Sequence, residues 1–181
     1  SRFEISLPEK RQFFIQNSDL FVNFGDRREA QPFFSRRIGV AKDTTGTTFE
    51  NKIIAGVRLS GKINNNLRLG FLNMQTAEDP SNQIAGNNNT VFTLQKKVLD
   101  RSNVSFIFVN RQTTGEPDFE HTQDRFNRVV GADFNLASKS NRWTGRTFIH
   151  QSFNPEESKD AYSTGLSFDY NARVHSVSFN V

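Results

Sequence analysis

The chain has 181 residues, with 23 Lys and Arg against 19 Asp and Glu (net charge +4), 35% hydrophobic residues, 19 Phe and no Cys. That length is one domain or a piece of one, and the lack of Cys removes disulfide frameworks, thiolate zinc sites and thiol nucleophiles. So mild a charge does not by itself mark a nucleic-acid or membrane-surface binder, the wealth of Phe argues against simple disorder, and no apolar run approaches the roughly 18 residues of a membrane-spanning helix.

A β-barrel escapes that last test, because its spanning strands alternate and average out as polar. Ser1 is neither a start Met nor the head of a signal peptide, so the chain is expected to be processed or cut from something longer.

The N-terminal stretch differs from everything after it. Ser6-Leu7-Pro8-Glu9 has capping-box spacing with Pro in the first turn, which predicts a short helix through about Gln16. Phe13, Phe14, Leu20 and Phe21 supply its apolar side. Gly25-Asp26 reads as a turn before a polar, Arg-rich connection through Arg28. Residues 1–31 are therefore expected to form a helical, plug-like segment.

From about Pro32 the period becomes two. Ala55, Val57 and Leu59 alternate with Gly56, Arg58 and Ser60, which is strand spacing. The cleanest case is Tyr162, Thr164, Leu166, Phe168 and Tyr170 against Ser163, Gly165, Ser167 and Asp169; Val130 to Leu136 and Phe92 to Val98 repeat it. Leu67 to Thr76 changes its apolar phase after Phe71, and Trp143 to Phe153 carries Arg146 beside Phe148.

The connections alternate too. Short polar turns are expected at Lys62 to Asn66, Asp100 to Asn103, Ser138 to Asn141 and Asn171 to Arg173; long polar segments lie at Ala41 to Asn51, Ala77 to Asn89, Gln112 to Asp124 and Asn154 to Asp160. Outer-membrane barrels have this rhythm, with short periplasmic turns and longer extracellular loops. About nine strands are expected over residues 32–181, an odd number where closed bacterial single-chain barrels use an even one. The last strand, Val174 to Val181, runs to the end of the chain, so an internal fragment of a larger barrel is expected. A soluble antiparallel sandwich also alternates, but it needs no alternation of loop length. Its solvated face would carry the set Arg58, Lys62, Gln95, Lys97, Arg111, Asp133 and Asp169.

The run from Arg2-Phe3-Glu4-Ile5 through Lys10-Arg11-Gln12-Phe13-Phe14 is followed by Asp19-Leu20-Phe21 and Pro32-Phe33-Phe34-Ser35-Arg36-Arg37-Ile38-Gly39. Further on come Leu59-Ser60-Gly61-Lys62, Gly70-Phe71-Leu72-Asn73-Met74-Gln75-Thr76 and Phe108-Val109-Asn110-Arg111. Over roughly the first 111 residues this resembles a Bacteroidota outer-membrane domain of unknown function that follows a family-nine carbohydrate-binding-like module. The resemblance implies an outer-membrane barrel, and it carries no catalytic residue over.

Three basic pairs, Lys10 with Arg11, Arg27 with Arg28 and Arg36 with Arg37, suit bidentate recognition of phosphate or carboxylate on an anionic glycan or lipopolysaccharide. The plainer reading is that they pair with Glu9, Asp26 and Glu29 and pin the N-terminal segment inside the lumen. Glu116, Asp118, Glu120 and Asp124, with His121 among them, place oxygen ligands for a hard cation such as calcium. They lack the Gly and terminal Glu of an EF-hand loop, and a solvated acidic loop is the plainer reading. His121, His150 and His175 have no metal-ligand spacing. Asn64 to Asn66 and Asn87 to Asn89 read as turn chemistry. Phe106 and Phe108 lack the glycine-aromatic signature of an RNA binder, so no nucleic acid is expected, and neither is a cofactor.

The reading is all-β, an antiparallel up-and-down, transmembrane-type β-barrel segment with a short N-terminal helical element. Its expected place is the outer membrane, its partners outer-membrane lipid and a glycan or anionic ligand, and its work the passage or binding of a polar solute. The alternatives are a membrane-anchored glycan-processing enzyme and a soluble β-rich binding module.

Overall fold

The computed structural model describes residues 10–26, 30–42, 48–115, 125–155 and 161–181. Two short strands, β1 (Val40–Lys42) and β2 (Thr48–Glu50), pair with each other. The period of two then becomes one antiparallel sheet of eight strands: β3 (Ile53–Asn64), β4 (Leu67–Thr76), β5 (Gly86–Val98), β6 (Ser102–Thr114), β7 (Phe126–Ala137), β8 (Trp143–Phe153), β9 (Tyr162–Asn171) and β10 (Ser176–Asn180). Each strand pairs with the next in the chain, so the order is an uninterrupted meander. β3 and β10 are its edges, and the described residues do not close the sheet on itself.

The described residues are thus all-β apart from two single turns of α-helix, α1 (Gln12–Ile15) and α2 (Asp19–Val22), and two 3-10 turns. The expected cap at Ser6 and Glu9 lies outside the described residues. In place of the expected strand near Phe34 stands a 3-10 turn at Ser35–Arg37, and the large sheet starts only at Ile53, holding eight of the ten strands among the described residues. The reason lies in Phe33 and Ile38, which both bury in one cluster. An odd separation along a strand would send them to opposite faces.

The short turns fall at residues 65–66, 99–101, 138–142 and 172–175, as the sequence predicts. Three long connections are shorter than expected, because Asn87 to Asn89 belong to β5, Gln112 to Thr114 belong to β6, and β1 and β2 take up most of the described part of residues 41–51. The Asn88 amide is engaged across strands: Asn73 donates to Asn88 Oδ1 at 3.0 Å and Asn88 donates to Gln75 Oε1 at 3.2 Å. Such a ladder substitutes for the turn chemistry expected there.

The register sorts the side chains into two faces. Arg58 stands opposite Leu72, Lys62 opposite Arg68, Gln95 opposite Ser105, and Ser105 opposite Asp133. The charged set read from the sequence therefore lies on one face, here called inner. On it the N-terminal segment packs, burying Phe14, Leu20, Phe21, Phe24, Phe33 and Ile38 against Leu72, Met74, Val91 and Ile107. This explains the phase change in β4. Leu67, Leu69 and Phe71 point outward, whereas Leu72 and Met74 point inward because there the inner face is covered by α2 and its neighbours.

The outer face is polar toward the long connections, where Asn73, Gln75, Asn88 and Thr90 lie on it, and apolar and exposed over the rest. Val57, Leu59, Phe106, Ile149, Leu166 and Phe179 are each more than a third exposed. At the short-turn end, Trp143 stands opposite Tyr170 with ring centroids 4.3 Å apart, and Tyr162 sits at the other end of β9.

Candidate functional site

The N-terminal segment is fastened to the inner face by arginines reaching from the sheet. Arg58 on β3 donates to the carbonyls of Phe13 and Gln16, and its guanidinium lies 4.8 Å from the Phe21 ring centroid. Arg68 on β4 meets the Asp19 carboxylate at 2.6 Å. Phe21 fits over Gly70, where a Cβ would come within 2.8 Å of its Cζ and 2.5 Å of Thr93 Oγ1. The missing side chain is what lets the ring approach.

A buried polar cluster makes the third fastening. Asp133 on β7 has no exposed side-chain surface; its Oδ1 lies 2.7 Å from His150 Nε2, and its Oδ2 accepts the Gly25 backbone N–H at 2.7 Å. Gly25 has φ +61, which glycine adopts without strain. Arg146 on β8 donates to Gly25 O at 2.6 Å, to Asn23 O and Oδ1 at 3.2 and 3.0 Å, and to Asn135 Oδ1 at 2.7 Å. Asp133 Oδ2 lies 4.0 Å from the Arg146 Nε, an ion-pair contact beside these four hydrogen bonds. Buried charge retained this way fixes one placement of the chain that crosses it.

An Asp oriented on a His is the supporting half of a hydrolytic triad. Here the imidazole is closed in: a Cβ at Gly25 would lie 2.7 Å from its Cε1, and one at Gly131 would lie 3.0 Å from its Nε2. His150 is 5% exposed. The pair holds the Gly25 turn, through the Gly25 N–H on Asp133 Oδ2.

Next to this cluster is a cleft of about 590 Å³, bounded by Gly25, Asp26, Arg146, Phe148, Ser163 and Ser167, with Asn180 of β10 across from Ser167. Small-molecule sites span roughly 300–1,000 Å³.

Of the basic residues singled out by sequence, Arg11 donates to Ser35 O at 2.9 Å and Ile38 O at 3.0 Å and lies over the Phe14 ring. The fold thus brings Arg11 to the turn that carries Arg36 and Arg37. Arg36 keeps a buried Nη1 that bonds to no described residue, and Lys10 is exposed. Arg27 and Arg28 lie outside the described residues, as do Glu116, Asp118, Glu120 and Asp124. Among the described residues, no three His, Asp or Glu gather where a metal ion could be held, and no helix is long and apolar enough to cross a membrane. Sequence reading missed the Asp133–His150–Arg146 cluster, although Arg146 breaking an apolar strand was its signal.

Comparison with protein-family models, with curated proteins and with solved structures returned no match to this chain.

Proposed function

We propose that this sheet is part of the wall of an outer-membrane β-barrel, as the resemblance in its first 111 residues implies, and that the N-terminal segment occupies the lumen. The barrel's work is then the passage or binding of a polar, glycan-like solute. One observation carries this reading. The face that is packed is the one bearing Arg58, Arg68, Asp133 and Arg146, and the face left exposed is the apolar one. A water-soluble sandwich does the reverse, burying its apolar face and solvating the polar one. An apolar exterior edged by Trp and Tyr, around a polar interior, is the pattern of a spanning barrel.

The test is partition of the folded chain between water, detergent micelles and lipid vesicles. The expected result is quantitative association with micelles and vesicles that salt does not reverse. A monomer that folds reversibly in water and stays there overturns the reading.

A further inference from the structure

We propose that Arg128, at the end of the outer face nearest the long connections, binds the phosphate of an anionic lipid headgroup. The site deepens the proposed function by naming a lipid partner, and it rests on that reading for the bilayer that presents the lipid.

Two neighbouring rows of the ladder set the depth of Arg128. Phe71, Phe92, Phe108 and Val130 stand opposite one another across β4 to β7, and so do Asn73, Thr90, Asn110 and Arg128, two residues further along each strand. The first row is apolar and the second polar, and Gln75, Asn88 and Gln112 continue the polar end. A step of two strand residues covers about 7 Å. A bilayer of about 40–45 Å around a hydrocarbon core of about 30 Å has a headgroup layer of about 5–7 Å on each side. With the Val130 row closing the hydrocarbon, Arg128 lies at headgroup depth.

The outer face carries charge of one sign. Among the described residues of β3 to β10 the acidic side chains are Asp133 and Asp169, both on the inner face. The charged residues of the outer face are Arg128 and, in the row of Val104 and Phe134 toward the short turns, Lys96. An anion approaching Arg128 therefore meets no carboxylate on the strands of this face.

The surroundings of Arg128 leave one edge of its guanidinium open. Its Nε donates to Asn110 Oδ1 at 2.9 Å, and the guanidinium lies 4.6 Å from the Phe126 ring centroid. The side chain is exposed, and neither Nη bonds to a described residue. Nη1 and Nη2 form a fork of parallel N–H groups, which matches two phosphate oxygens. Phe153 stands opposite Arg128 on β8 and is 44% exposed. Together with Phe126 it offers apolar surface beside the phosphate for the glycerol and first acyl carbons of a lipid, which free phosphate lacks.

The experiment is isothermal titration of the folded chain in neutral maltoside micelles with the same micelles carrying phosphatidic acid or phosphatidylcholine, and with inorganic phosphate. Should the chain stay in water, monomeric dihexanoyl phosphatidic acid replaces the doped micelles, so that loss of the membrane reading does not decide the phosphate site. The expected result is saturable binding of phosphatidic acid that weakens with salt, with weaker binding of phosphatidylcholine and of inorganic phosphate. Arg128→Gln should weaken it about tenfold or more, the equivalent of about 1.4 kcal/mol. Arg128→Lys keeps the charge without the fork and should bind with intermediate affinity. Lys96→Gln, which removes a charge from the other end of the same face, should leave binding unchanged. If Arg128→Gln does not fold, Arg128→Lys decides. No saturable binding by the folded chain, unchanged binding in the Arg128 variants, an equal loss in Lys96→Gln, or inorganic phosphate bound as tightly as phosphatidic acid overturns the proposal.

Discussion

Asp133 accepts the backbone N–H of Gly25 at 2.7 Å across a separation of 108 residues. A carboxylate on the seventh strand thereby fixes a turn that precedes the whole sheet, and His150 holds that carboxylate from the other side at 2.7 Å. Three arginines, Arg58, Arg68 and Arg146, reach the same segment from strands at both ends of the sheet.

Removing this anchor tests how the segment is held. Asp133→Ala leaves the Gly25 N–H and the His150 ring nitrogen without their partner, each costing about 1–3 kcal/mol when buried. The expected loss is about 3 kcal/mol in urea unfolding, with faster proteolysis between residues 10 and 38. Asp133→Asn keeps an acceptor for Gly25 and should lose about 1 kcal/mol. Equal stability of Asp133→Ala and the parent would show that the bond holds nothing.

Gly70 tests the packing of Phe21 independently. Any side chain there must displace Thr93 Oγ1 or the Phe21 ring, and overpacking of this kind costs about 1–3 kcal/mol. Gly70→Val should lower stability by that amount, and pairing it with Phe21→Leu should recover part of it. A double mutant cycle without coupling would place the clash elsewhere.

The two faces of β9 make a sharper pair. Leu166 is 46% exposed on the outer face, and Ser167, its neighbour, lines the inner cleft. An Arg on a lipid-facing wall costs about 2–4 kcal/mol at the bilayer midplane. Leu166→Arg should be destabilised by about that much in vesicles, and Ser167→Arg should be tolerated. Similar losses at both sites would mean a sheet buried on both faces.

On the proposed barrel reading, loop lengths set the membrane topology. A tag inserted at residues 116–124 should be labelled on intact cells, and one inserted in the 138–142 turn only after permeabilisation. Labelling of the second tag alone would invert the barrel.

Pairing period and turn spacing lie within single segments, so they were legible in the sequence. Tyr162 to Tyr170 alternates without a break and is β9; the short polar turns predicted between strands are where the chain reverses. The polar residues Arg58, Gln95 and Asp133 stand on three strands, and each strand's alternation together with the ladder register puts them on one face. What the sequence did not decide is what each face meets. The apolar shift after Phe71 in β4 has no local cause; Leu72 and Met74 are buried because α2, far away in the chain, lies over them. Arg146 interrupts an apolar strand for the same kind of reason, since the carbonyls it bonds belong to Asn23 and Gly25. Phe34 reads as strand and is not, because Phe33 and Ile38 gain more by burying together in one cluster than by alternating across a sheet. The energy of such contacts is that of burial and bonding across the fold, over 121 positions for Arg146 and Gly25, which no local pattern of side chains encodes.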